Sequence, residues 1–143
     1  IMLSAAEDIV SHYPDKTVLN KAVSVPFAEY RKLMSSSDII LDQLYSYTPS
    51  MNPLEAMRQG LVCVGGGEPE YYDFIGEQQL RPIINVEPTY ESVYQQLEQL
   101  VRHPERLPQL KKDSKEFVRK HHDHIKVAQQ YLDFWYNQTT IKK

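Results

Sequence analysis

Glu55 stands in the string Asn52-Pro53-Leu54-Glu55-Ala56-Met57-Arg58-Gln59-Gly60. Asn52 is a helix-capping residue type, Pro53 fits just inside a helix start, and Gly60 fits its close. A carboxylate in the first turn of such a helix would sit beside backbone N–H groups that lack intrahelical acceptors. That is a place for polar ligands and anions, and the N–H groups of Ser50, Met51 and Asn52 would border it. The apolar run Leu61-Val62-Cys63-Val64 comes next, followed by Gly65-Gly66-Gly67-Glu68-Pro69-Glu70. All five glycines fall between Gly60 and Gly76, so the backbone is permissive in one region only, as a ligand edge would require. Glu68 and Glu70 are open to two readings, a solvated turn or recognition of a polar ligand by Glu68.

Asp42 and Gln43 follow the short apolar segment Asp38-Ile39-Ile40-Leu41. Ligands of open parallel sheets sit at the carboxyl ends of the strands, which suits Asp42, although an acid there also caps loops. A metal site on one helix face needs ligands three or four apart, which of His121, His122 and His124 only the pair His121 and His124 meets, and no cysteine or acidic partner stands at zinc-site distance. We therefore expect no metal. The lone Cys63 lies within an apolar strand and reads as a buried, inert thiol.

These residues must be carried by alternating strands and helices. Helices are predicted over residues 1–13, 26–36, 52–60, 89–102, 104–120 and 124–136, from apolar spacing and Pro or Gly punctuation. Strands are predicted near Val18–Val23, Ile39–Leu41, Leu61–Val64 and Ile83–Val86, from short apolar and β-branched runs. Such alternation predicts an α/β fold, a Rossmann-like parallel sheet with helices on both faces, in one domain spanning residues 1–143.

Leu54-Glu55-Ala56-Met57 with Gly60, an apolar strand and then Gly-Glu-Pro-Glu resembles the signature of nucleotide-sugar-dependent glycosyltransferases built from two Rossmann-like domains. The order of Asp38–Asp42, this helix and that turn is similar to the retaining group 1, or family 4, enzymes of bacterial capsule and lipopolysaccharide synthesis. The resemblance runs from about Val18 to the last helix. It implies the C-terminal, donor-binding half of a longer enzyme, lacking its first strand and the Arg and Lys that grip the donor diphosphate there. A gap is then expected between the strands at Val18 and Leu61.

The resemblance also assigns roles. Glu55 would hold the ribose hydroxyls, and the N–H groups of Ser50, Met51 and Asn52 would face the diphosphate. Ser50 stands where the family has a glycine. Tyr47 stands where the family has a second glutamate, and a phenol supplies no carboxylate charge; Tyr47 would hydrogen-bond sugar hydroxyls, or Asp42 and Gln43 would reach in. Val23-Ser24-Val25 would lie under the nucleobase, with contacts made mostly by backbone groups. The implied substrate is a nucleotide diphosphate-sugar with no cofactor. The acceptor, a glycan or a lipid-linked glycan, would be held by the other domain, and the fragment alone would be inactive. The implied location is cytoplasmic, with peripheral contact at the inner membrane.

Composition sets the outer bounds. The chain has 143 residues, 41% of them hydrophobic and 24% charged, which are globular values. No apolar run approaches the ~18 residues of a membrane span. A net charge of −3 without a basic stripe argues against nucleic acid as a partner. A rival reading is a phosphoacceptor receiver module, for Asp38–Asp42 resembles its phosphorylated strand. It lacks an acidic pair, has Glu87 in place of the receiver lysine, and carries two additional helices after Arg102. A third is a degenerate transferase half kept for protein contacts.

Overall fold

The computed structural model describes residues 1–140. Three short parallel strands form the sheet: β1 (Ile39–Leu41), β2 (Val62–Gly65) and β3 (Ile84–Asn85), in the order β1-β2-β3. Ile39 lies opposite Val62, Leu41 opposite Val64, and Val64 opposite Ile84. Strand β2 is buried at every position, as expected of the middle strand of a parallel sheet.

Seven α-helices occur among the described residues: α1 (Met2–His12), α2 (Phe27–Ser35), α3 (Met51–Gln59), α4 (Pro69–Phe74), α5 (Tyr90–Arg102), α6 (Leu107–His121) and α7 (His124–Thr140). Alternation along the strands decides which helix covers which face. Val64 at the sheet centre packs with Ala5, Ile9, Val93, Leu97 and Leu100 of α1 and α5, joined by Ile39, Leu41 and Ile84. Cys63, one residue before Val64, points the other way, among Met57 of α3, Tyr71 and Tyr72 of α4, and Phe117 and Val118 of α6. The fold is therefore α/β with helices on both faces.

Local chemistry sets the ends of these elements. Thr89 Oγ1 accepts the Ser92 N–H at 3.2 Å and caps α5, whose stripe Val93, Leu97 and Leu100 is buried. Helix α3 ends on Gly60 at φ 98°, with Gly60 N–H donating to Met57 O and Leu61 N–H to Ala56 O. That pair of bonds needs a left-handed residue, a conformation glycine adopts without a Cβ penalty. A seam of side chains ties α1 to α5. Tyr13 OH donates to Glu98 at 2.7 Å, Tyr90 OH to Asp8 at 2.5 Å, and Arg102 Nε to Tyr13 OH at 3.1 Å.

The structure corrects four expectations. No strand forms at residues 18–23; Val18 and Val23 are 85% and 76% exposed, and no gap separates sheet strands, since β1 pairs directly with β2. The cap of α3 is Ser50, not Asn52, so Pro53 is the third helical residue and Glu55 lies in the second turn. Pro69 and Glu70 begin the short helix α4 rather than sitting in an open turn, and a 3₁₀ turn, Pro104–Arg106, precedes α6. Helix α7 carries Val127, Tyr131, Leu132 and Trp135 at helical spacing, and Tyr131, Leu132 and Trp135 are 60%, 41% and 59% exposed.

One buried charge fastens α6 to the connection between α4 and β3. Glu77 is 2% exposed, and its carboxylate accepts the N–H groups of Gln79 and Leu80, each at 3.0 Å. Lys120 Nζ at 2.5 Å and His121 Nε2 at 2.6 Å complete the shell. The Lys120 ammonium first, and then these N–H and imidazole donors, hold the carboxyl well below the usual carboxylate range. A carboxyl depressed in the folded state stabilises the fold above its unfolded pKa, and that contribution is lost as the pH falls below the ordinary carboxylate range. Glu77→Gln should cost about 2–3 kcal/mol in urea denaturation at pH 7, by weakening charge-assisted bonds and leaving donors underpaired. The variant's stability should also fall less steeply than the wild type's below pH ~4.

Candidate functional site

The sheet's carboxyl edge gathers three loops: residues 42–50 after β1, 66–68 after β2, and 86–88 after β3. The glycines there serve close packing. A Cβ on Gly66 would overlap the carbonyl oxygen of Ser46, one on Gly65 would come within 2.9 Å of Asp42 Cβ, and one on Gly67 within 2.8 Å of Ile83 Cγ2. The first two loops thus touch backbone to backbone, which brings Asp42 and Tyr47 close to the start of the Glu68 turn. Asp42 is half-buried, and its N–H continues the ladder to Val64 O at 2.9 Å.

Asn85 joins the third loop to the second. Its Oδ1 accepts the Gly67 N–H at 2.9 Å, and its Nδ2 donates to Glu68 Oε2 at 3.1 Å. The sequence reading did not single out Asn85; the available signal was a lone amide at the end of an apolar strand. Asp42, Tyr47, Glu68 and Asn85 therefore belong to one edge. Tyr47 is 69% exposed there, and Glu68 is half-buried.

Helix α3 follows the first of these loops. No side chain caps it at Ser50, and Pro53 has no N–H, so Met51 and Asn52 carry the first-turn donors that lack intrahelical acceptors. The Asn52 side chain is engaged elsewhere, its Oδ1 accepting Tyr30 OH of α2 at 2.5 Å. Met51 is 81% exposed. Val25 is half-buried, beside Ser24 at φ 54°, and belongs to the segment that leads into α2 rather than to a strand.

Glu55 has partners on its own helix. Arg58 Nε and Nη2 donate to Oε2 and Oε1, each at 2.7 Å, and Gln59 Nε2 donates to Oε1 at 2.9 Å. The Arg58 guanidinium, assisted by Gln59, lowers the carboxyl to about 2, so it is ionised at any neutral pH. A carboxylate has about four lone-pair positions, and three are taken. One remains on Oε2, enough for a single hydroxyl; a diol would have to share with Arg58 or Gln59.

Two of the three histidines have structural partners. His121 serves Glu77, and His122 Nε2 lies 2.8 Å from Tyr71 OH. Among the described residues no group of three or more His, Cys, Asp or Glu could hold a metal ion. Burial, and then the Asp42 charge, push the Cys63 thiol up to about 12. No helix among the described residues is long and apolar enough to cross a membrane.

Gly66→Ala tests the loop contact on which this edge rests. The methyl must displace a backbone carbonyl rather than a side chain, so a loss of about 2–3 kcal/mol in urea denaturation is expected. A cost under ~0.5 kcal/mol would mean that the two loops separate freely.

A family model described as glycosyl transferase-like matches residues 4–133, from α1 into α7, and takes in all three strands. No curated protein and no solved structure matches the chain.

Proposed function

We propose, for a chain that belongs to the glycosyl transferase-like family, that the carboxyl edge of its sheet binds the nucleotide diphosphate-sugar donor of a retaining transfer. The observation that carries this reading is the convergence of three strand-end loops on that edge, beside the uncapped start of α3. Open parallel sheets bind ligands at such an edge. The family match favours a transferase over the receiver module.

In this reading the N–H groups of Met51 and Asn52, with that of Ser50, face the diphosphate, and the helix start favours its charge. Glu55 accepts a ribose hydroxyl on its remaining Oε2 lone pair. Asp42, Tyr47 and Glu68 meet the sugar, and the backbone near Val25 meets the base. Leaving-group charge is stabilised by oriented donors without a cofactor. Transfer to a glycan or lipid-linked acceptor requires both substrates in one geometry, which a second domain facing this edge would supply. Tyr47 leaves room for a non-catalytic half used in protein contacts, and turnover by the two-domain enzyme separates the two.

Calorimetry with nucleoside diphosphates tests the donor site. Glu55→Ala should weaken the cognate nucleotide by about 1.5–3 kcal/mol, the range for a hydrogen bond to a charged group, with the melting transition preserved. Unchanged affinity would remove Glu55 from the site. Arg58→Ala should hold or raise the affinity, because it frees acceptor positions on Glu55. A loss as large as that of Glu55→Ala would overturn the sharing argument.

Transfer assays test the division of labour. Residues 1–143 alone should bind nucleotide without transferring sugar. Robust transfer by this chain would refute the need for a second domain.

A further inference from the structure

The opposite edge of the sheet carries a different chemistry. Ser37 and Leu61 lie just before β1 and β2, at the amino ends of the strands, and with Gly60 and Gln59 they floor a cavity of about 540 Å³. Lys111, Lys112 and Lys115 of α6 form one wall, at the spacing that places residues on one helix face. Ser35 of α2 forms the other wall. A second hollow of about 320 Å³ shares Ser35 and Gln59 and adds Arg31 and Lys32. Five cations thus border two adjoining hollows in a chain whose net charge is −3.

The carboxylates of the neighbourhood engage Lys111 directly and act on Arg31 through Glu55, and they leave Lys112 and Lys115 available. Asp38 pairs with Lys111, and Glu55 is held by Arg58 and Gln59. Among the described residues neither Lys112 nor Lys115 has a carboxylate partner. Lys115 lies across Gly60, where an added Cβ would come within 2.5 Å of its Cε and 3.3 Å of its Nζ. Its ammonium therefore lies at the groove floor, beside the carbonyl end of α3. Lys112 is exposed on the same wall.

We propose that this groove between α2 and α6 is a binding site for a ligand carrying two or more phosphate groups, distinct from the donor edge. An ammonium is a compact charge suited to phosphate. Lys112 and Lys115 form one cationic pair, and Arg31 and Lys32 border the adjoining hollow as a second, which favours two phosphates over one. A cavity of 540 Å³ falls within the range of ordinary ligand sites. The phosphates have two possible sources, a soluble polyphosphorylated metabolite or the headgroups of an anionic lipid surface.

The test uses inorganic triphosphate in calorimetry and, in parallel, sedimentation with vesicles of phosphatidylcholine alone or mixed with phosphatidylglycerol. The wild-type chain should bind one of the two phosphate sources, and Lys112→Gln/Lys115→Gln should weaken that binding at least tenfold. Lys126→Gln, on α7 away from the groove, should change it less than twofold. Triphosphate binding without vesicle binding assigns a soluble ligand; binding only to phosphatidylglycerol vesicles assigns headgroups. Because Lys115 covers Gly60, circular dichroism checks the double variant. Should that variant unfold, the exposed single change Lys112→Gln carries the test, with a loss of at least threefold expected. Absence of wild-type binding in both arms, an unaffected groove variant, or an equal loss in Lys126→Gln would overturn the proposal.

Discussion

The carbonyl oxygen of Ser46 fills the space that a side chain on residue 66 would need. The arrangement of the sheet's carboxyl edge depends on that contact. The loop leaving β1 can lie flat on the loop leaving β2 only because Gly66 presents bare backbone. Once the two are in contact, Asp42 lies against Gly65, and the Gly67 N–H turns to the Asn85 amide. Three separate strand ends become one surface through steric exclusion and one bridging amide, rather than through a large hydrophobic contact.

The sheet then separates two chemistries. Asp42, Glu68 and the Asn85 amide stand at the carboxyl edge, with the start of α3 beside them. Four lysines and Arg31 line the hollows at the amino edge. Glu55 lies between, one turn into α3, with its charge largely answered by Arg58. That placement follows from the helix starting at Met51. The helix begins two residues before the start that Asn52 suggested, and Arg58 and Gln59, three and four positions after Glu55, make its carboxylate a shared acceptor.

Much of this was legible in the sequence. Ile39–Leu41, Leu61–Val64 and Ile83–Val86 read as strands because short β-branched or apolar runs bounded by turn residues have few other uses. Residues 18–23 have comparable β propensity yet form no strand, since propensity is realised only where a neighbour supplies ladder bonds and cover. Val18 and Val23 have neither. Asn52 looked like a cap by type, but its side chain bonds Tyr30, 22 residues away, a partner no local pattern announces. Glu77 was missed for the same reason, its cationic partners standing 43 and 44 positions along the chain. Asn85 did leave a local trace, a single amide closing an apolar run. Glu68 was recognised by type and position, but the partner that holds it is this same overlooked amide.

Cys63 gives the fold a further property. Its thiol is 1% exposed in the middle strand, flanked by the two strands it pairs with and covered by α3, α4 and α6. Thiolate is the reactive form, and burial keeps that form scarce. An alkylating reagent can therefore reach it only when β2 is uncovered, an event close to global opening. As this is the chain's sole cysteine, the rate of its modification becomes a clock for the unfolding of the central strand, readable without any engineered label.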